Sequence, residues 1–109
     1  MLQIDEQKRQ KAVDSYKLVG TLPEKSYDDI TQIASFICGT PIALITMLDY
    51  NRNFLKSHYG VPFNESPREI SFCTHAIQTK DSVFIIPDAR LDDRFKNNPL
   101  VTGDLKAIF

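Results

Sequence analysis

Apolar side chains recur at helical spacing in the first third of the chain and predict two helices. Residues 3–18 place few apolar positions among Gln, Lys, Glu and Asp, which predicts a polar helix with a thin apolar stripe. A solvated helix and a signalling coiled coil both fit this stripe. Gly20 and Pro23 then end the helix. Its apolar positions are Ile4, Ala12, Val13 and Tyr16.

The second helix has a stronger pattern. We expect it over residues 26–38, with Ser26 as its N-cap and Gly39 just after its end. The spacing of its apolar residues predicts that they form one stripe and pack on a sheet. The stripe consists of Tyr27, Ile30, Ile33, Ala34 and Ile37.

Apolar runs after the second helix predict β-strands. "IALITMLD" (42–49) is apolar on both faces, so we expect a central strand that is covered on both sides. Residues 49–53 are typical of a hairpin loop, and the more polar residues 54–60 predict a return strand at the sheet edge. "SVFIIPDA" (82–89) predicts a third strand, and "LKAIF" (105–109) the start of a fourth.

The connecting segments complete the expected fold. Residues 61–69 form a loop, "SFCTHAIQT" (71–79) forms a short helix capped by Ser71, and residues 90–104 form a loop with about one helical turn. Because a hairpin forces antiparallel pairing, the predicted fold class is α+β, with an antiparallel sheet flanked by helices.

Charge and composition narrow the function classes. The 109 residues carry a net charge of −1, and acidic and basic side chains are interspersed, so we expect no nucleic-acid partner. The start "MLQIDEQKRQK" has no apolar signal region, and no apolar stretch is long enough for membrane insertion. With only Cys38 and Cys73 as cysteines, the sequence favours a cytoplasmic location.

The ordered motifs over roughly residues 18 to 109 resemble a GAF domain. "PEKSYDDITQIASFICGTPIALITMLD" resembles the second helix and first strand of that family, and "NRNFLKSHYG" its second strand. "REISFCTHAI", "IIPDARLDDRF" and "NNPLVTG" resemble the next helix, strand and loop of the subgroup found ahead of histidine kinases and diguanylate cyclases. We therefore divide the chain into a polar helix, 1–18, and a GAF-like sensory domain, 19–109.

The resemblance implies a larger sheet than the sequence supplies. GAF sheets have about six strands in the order 2-1-5-4-3-6, and Phe109 lies about where strand four begins. The first strand would then keep an apolar, unpaired edge. We expect that residues 1–109 are part of a longer chain, or that they associate through that edge or through the helix over 3–18.

Cys73 and His75 invite several chemical interpretations. As metal ligands they are too few for structural zinc. As nucleophile and base they do not face each other on a helix, since only residues three or four apart do. A bilin-linking cysteine stands directly before a histidine in GAF domains that carry this chromophore, whereas Thr74 intervenes here. The favoured interpretation is a capped core helix in which Cys73 is a small, inert hydrophobe.

The resemblance also implies where a ligand would bind, because the GAF pocket lies between the sheet and helices of this kind. Asp88, with Asp92, Asp93 and Arg94, could form an acidic ligand site, but such residues more often cap turns and pair locally. The candidate lining residues are Phe54, Phe72, Cys73, Ala76, Ile86, Asp88 and Phe95.

The sequence therefore predicts a sensory or regulatory domain without catalysis, metal or cofactor of its own. An unidentified small molecule would shift its terminal helices and so control an output domain in a longer chain, such as a histidine kinase of a two-component system or a cyclase. A homodimer through helices or the sheet edge is expected. The alternatives are a redox enzyme similar to free methionine-R-sulfoxide reductases, using Cys73, and a dimerisation module without a ligand.

Overall fold

A computed structural model of the chain describes residues 5–79 and 83–103. In this part of the chain the fold is α+β, with a three-stranded antiparallel sheet in the order β1-β2-β3. None of the described helices is long and apolar enough to cross a bilayer. The expected strand over 105–109 lies outside the described residues. The elements are α1 (Glu6–Tyr16), α2 (Lys25–Cys38), β1 (Ala43–Leu48), β2 (Arg52–Tyr59), β3 (Glu65–Pro67), a 3₁₀ turn (Arg68–Ile70), α3 (Phe72–Ala76) and α4 (Pro99–Thr102).

The predicted hairpin is confirmed. β1 and β2 pair antiparallel from Ala43 opposite Tyr59 to Leu48 opposite Asn53. The register shifts by one residue between Ile45 and Thr46, so Lys56 is an extra residue in β2. A bulge of this kind bends the strand locally, and here both Lys56 and its neighbour Ser57 contact α2 or the segment just before it.

The expected edge position of the second strand was wrong. β2 lies in the middle of the sheet and is buried from Asn53 to Ser57, whereas β1 pairs only with β2 among the described residues. The segment expected to be a loop supplies β3, in which Glu65 pairs with Phe54 and Pro67 with Arg52. The polar residues of β2 suggested solvent exposure, but hydrogen bonds to the N-terminal segments satisfy them in the interior.

The third predicted strand is also absent from the part of residues 82–89 that the structure describes, 83–89. This segment pairs with no strand in the described residues. Pro87 supplies no N–H for a ladder, and Asp88 accepts a hydrogen bond from the backbone N–H of Arg90 at 3.0 Å, which closes a turn. Ile86 and Ala89 are held instead by packing around the fully buried Phe95.

The packing face of α2 differs most from expectation. The helix begins after Glu24 rather than Ser26, and it ends at the predicted Gly39, whose φ is +63°. Its buried residues are Thr31 and Ser35, and Thr31 Oγ1 lies 2.9 Å from Ser57 Oγ of β2. The helix presents its polar side to the sheet because the facing side chains of β2 are polar. Three residues of its predicted apolar stripe, Ile30, Ile33 and Ile37, are exposed, and so is Phe36.

Replacing Ile33 by alanine should therefore change the free energy of unfolding by less than about 0.5 kcal/mol. The side chain is 57% exposed, so little apolar burial is lost. Thr31→Ala is the matched change on the buried side of α2, and loss of its hydrogen bond to Ser57 should cost about 1 kcal/mol. Urea unfolding of both variants checks this, and a loss above about 2 kcal/mol for Ile33→Ala would show that the stripe is packed.

Helix α1 is docked on the β1–β2 hairpin through polar contacts. Gln10 and Val13 are its buried residues. Gln10 Nε2 donates to Asp49 Oδ1 at 2.7 Å, and Arg9 donates to the Leu48 carbonyl. The Glu6 carboxylate pairs with Arg9 at 2.8 Å and with Arg68, beyond the sheet, at 2.7 Å. These contacts tie the helix to the hairpin despite its thin apolar stripe.

This docking should weaken in acid. Hydrogen bonds from Arg9 and Arg68 lower the pKa of Glu6 from 4.5 to about 2. A lowered pKa stabilises the folded state above the unfolded pKa, so the contribution is complete above about pH 4.5 and is lost as the pH falls toward 2. Glu6→Gln should flatten that part of the stability–pH profile, and Glu69→Gln, at an exposed position, serves as the control. Identical profiles for wild type and Glu6→Gln would contradict the pairing.

Candidate functional site

The short helix α3 positions the residues around which the candidate site is built. Ser71 is its N-cap, as predicted, and the Ser71 Oγ accepts a hydrogen bond from the Cys73 N–H at 3.1 Å. Thr74 Oγ1 donates to the Arg68 carbonyl at 2.6 Å and ties the helix to the preceding turn. The helix ends at Ala76, earlier than the expected residue 79.

A cavity of about 380 Å³ lies beside α3. We call it the large cavity. Three separate segments wall it: the residues that lead into β1, the helix α3, and the turn segment 84–89. Its lining is mainly apolar, which suits a site for an uncharged small molecule. The lining residues are Thr40, Ile42, Phe72, Cys73, Ala76, Phe84, Ile86 and Ala89.

A second cavity of about 190 Å³ lies between the sheet and α3, and we call it the small cavity. Phe72 and Cys73 line both cavities, so the two cavities adjoin at these residues. Leu100 of α4 closes one side. Its apolar lining residues are Leu44, Leu55, Phe63, Phe72 and Leu100. Its other lining residues are Asn53, Ser66, Ser71 and Cys73.

Four of the seven predicted lining residues meet at the large cavity: Phe72, Cys73, Ala76 and Ile86. Phe95 stands behind them, fully buried, with its ring centroid 4.7 Å from that of Phe72. Asp88 and Phe54 line neither cavity. Their role in ligand binding stays a prediction.

Phe54 lies on the other side of its strand. Side chains alternate along a strand, and its neighbours Asn53 and Leu55 line the small cavity. Asn53 was expected to lie in the hairpin loop, and Leu55 was not among the candidate lining residues. Polar and apolar residues do not alternate along β2, so the sequence did not show which face of the strand α3 covers. Phe84 and Ala89 were missed because their segment was expected to be a strand.

Cys73 is partly buried, not fully buried as expected. Its Sγ lies 3.5 Å from Thr46 Oγ1 and accepts a hydrogen bond from Asn53 Nδ2 at 3.5 Å. His75 is exposed, and its ring packs edge-on against Phe95 with centroids 4.9 Å apart. Among the described residues, no group of three or more His, Cys, Asp or Glu side chains could hold a metal ion.

The two thiols should differ in reactivity in the native state. Cys38 is exposed at the end of α2, whereas the cavity walls partly cover Cys73. Single-cysteine chains, made with Cys38→Ser or Cys73→Ser, should therefore react with a thiol reagent at different rates at neutral pH, Cys73 more slowly. After denaturation both should react alike. Native labelling of Cys73 as fast as that of Cys38 would favour the redox-enzyme alternative.

The acidic cluster near α4 pairs locally, in agreement with the favoured interpretation of these residues. Three hydrogen bonds from Arg90, two from its side chain and one from its backbone N–H, lower the pKa of Asp88. The same set of contacts from Arg94 lowers the pKa of Asp92 to about 2. The Arg94 guanidinium also lies 5.1 Å from the centre of the Phe84 ring and so covers the aromatic core from outside.

A larger, polar groove lies at the hairpin end of the sheet. Its volume is about 610 Å³, and Asp49, Arg52 and Glu65 are among its lining residues. Its charges pair within the groove: Arg52 lies 2.7 Å from Glu65 and 3.6 Å from Asp49. Since these charged groups already satisfy one another, the apolar cavities beside α3 are the better candidates for ligand binding.

Two comparisons with known proteins bear on this chain. No protein-family profile matches the chain. A cyclic di-GMP phosphodiesterase of Pseudomonas aeruginosa is 38% identical to it over 105 residues, which is 96% of this chain and 18% of the relative. The chain thus spans less than a fifth of the length of that relative.

Proposed function

We propose that the chain is a non-catalytic regulatory domain of the GAF type, which senses a small molecule and acts in cyclic di-GMP signalling. The observation that carries the proposal is the large cavity, where α3 meets two other segments around an apolar space of about 380 Å³. The similarity to a cyclic di-GMP phosphodiesterase supports the signalling context, and the order of motifs along the chain supports the domain type.

The walls of the large cavity suggest how binding would be transmitted. Thr40 and Ile42 line the cavity directly after α2 ends. The Thr40 N–H donates to the Ser35 carbonyl of α2 at 3.1 Å, and the Ser35 hydroxyl donates back to the Thr40 carbonyl. A ligand that contacts Thr40 therefore acts on a residue fixed to the last turn of α2. Binding would favour one position of this helix over another.

The exposed apolar face of α2 is the surface that would receive this signal. Phe36 and Ile37 are the most exposed apolar residues of the helix. In a homodimer, this face or the edge of β1 that pairs with no strand in the described residues would meet a second copy. An output domain in a longer chain would respond to the resulting change in helix position.

Filling the large cavity tests the proposal. Thermal unfolding of wild type should shift upward with small apolar probes such as indole, because a ligand that binds only the folded state stabilises it. Ala76→Phe should reduce the shift, because it fills the large cavity and leaves the small cavity open. Ala12→Phe, at an exposed position on α1, should leave the shift intact.

Two results would contradict the proposal. The first is an equal shift in wild type and Ala76→Phe, which would place binding elsewhere. The second is turnover of free methionine-R-sulfoxide that is lost in Cys73→Ser, which would identify the chain as a redox enzyme.

A further inference from the structure

The side-chain oxygen of Asn53 is a buried acceptor without a hydrogen-bond donor. Asn53 lies on the central strand, where it pairs with Leu48 on one side and Ser66 on the other, and it is only 4% exposed. Its Nδ2 donates to Cys73 Sγ, but its Oδ1 has no hydrogen-bond partner within residues 5–79 and 83–103. Among the buried side-chain nitrogens and oxygens of those residues, it is the one without a hydrogen-bond partner.

Such an atom requires an explanation. A buried acceptor without a donor loses its hydration and gains nothing in return. Asparagine is also depleted in strands, so β-strand propensity does not explain its presence in β2. Asn53 lines the small cavity, which identifies the space from which a donor could reach it.

The small cavity is larger than a single water needs. A water takes up about 30 Å³ in the liquid, so 190 Å³ corresponds to about six waters. Five of its lining residues are Leu or Phe, which offer such waters few partners. Among the described residues, none that lines it is charged. The Ser71 hydroxyl already accepts the Cys73 N–H. The cavity thus suits a neutral, mainly apolar molecule.

We infer that the small cavity binds a small, neutral, mainly apolar molecule with one N–H or O–H group, which donates to Asn53 Oδ1. This inference rests on the proposed function: the small cavity adjoins the large one at Phe72 and Cys73, which line both, and its lining gives the chemical class of the ligand. The donor completes the hydrogen bonding of the buried amide, and Leu44, Leu55 and Phe72 enclose the apolar part. An analogue without the donor would leave the acceptor unpaired, and this difference supplies selectivity.

A matched pair of probes tests the inference. Indole and benzothiophene have nearly the same shape, and only indole has an N–H. Dissociation constants for both are measured by NMR titration on wild type and on Asn53→Ala. Wild type should favour indole relative to the variant by about tenfold, which corresponds to about 1.4 kcal/mol. The comparison of ratios cancels the different hydrophobicity of the two probes.

The possible results separate this inference from the proposed function. Binding of both probes with the same ratio in wild type and Asn53→Ala overturns the donor class, since water then serves Oδ1, and leaves the sensing proposal standing. Binding of neither probe overturns both. If Asn53→Ala does not fold, the wild-type titration decides: weaker binding of indole than of benzothiophene overturns the inference, and stronger binding supports it, because benzothiophene is the more hydrophobic probe.

Discussion

Replacing Phe95 by alanine is expected to lower the free energy of unfolding by about 3–5 kcal/mol. The side chain has no exposed surface. Its ring makes edge contacts with Phe72 and Phe84, at centroid distances of 4.7 and 6.5 Å. The variant would leave a hole that these residues cannot fill without moving. Urea unfolding followed by circular dichroism measures the loss.

Leu91→Ala is the matched control, because Leu91 lies in the same segment and is 80% exposed. It should change the free energy of unfolding by less than about 0.5 kcal/mol. Phe72 and Phe84 also wall the large cavity, so Phe95→Ala should weaken probe binding as well. Equal stability of Phe95→Ala and Leu91→Ala would contradict the core described for residues 84–101.

Replacing Lys56 by methionine is expected to cost about 1.5–3 kcal/mol, the range for hydrogen bonds of charged groups. The Lys56 side chain has no exposed surface, and its Nζ lies 2.6 Å from the Glu24 carboxylate. It also donates to Thr21 Oγ1 and to the Leu22 carbonyl, each at 2.7 Å. Methionine keeps the apolar stem but loses all three contacts. Glu24 is half exposed and regains water, which limits the cost.

Lys25→Met is the matched control for Lys56→Met. Lys25 also pairs with a carboxylate, that of Asp29 at 2.7 Å, but its side chain is 87% exposed. Exposed ion pairs contribute little, so this change should be barely measurable. Lys56→Met should in addition speed hydrogen exchange in residues 19–24. If both variants lose the same stability, Lys56 does not anchor residues 19–24.

The sequence predicted the elements that depend on local signals. Ser71 caps α3 and Gly39 ends α2, as their residue types indicated, and the hairpin pairs antiparallel. These features depend on neighbours within a few residues. The four candidate residues that meet at the large cavity came instead from the resemblance to GAF domains, and their role in ligand binding stays a prediction.

The predictions that failed concern residues whose partners are distant in sequence. Ser57 hydrogen-bonds to Asp28 and Thr31, more than 25 residues away. Each of these polar residues alone suggests a solvent-facing position, and only the pairing makes burial favourable. The expected packing of Ile33 and the expected edge position of β2 both failed for this reason.

In β2, the predicted lining residue differs from the observed lining residues of the small cavity by one position along the strand. Phe54 was the predicted lining residue of this strand, whereas its neighbours Asn53 and Leu55 line the small cavity. Hydrophobicity could not decide between the two faces of a strand that is covered on both sides. The position of α3 relative to the sheet decides it, and that position is a property of the whole fold.

The most direct test of ligand binding beside α3 is the location of a bound probe by intermolecular nuclear Overhauser effects. In a complex of the chain with indole, we predict contacts from the indole protons to the ring of Phe72, which lines both cavities, and to Leu55 or Ala76. Contacts confined to the exposed residues Ile30, Ile33 and Ile37 of α2 would contradict the account, because they would show surface adsorption and leave the cavities without a ligand.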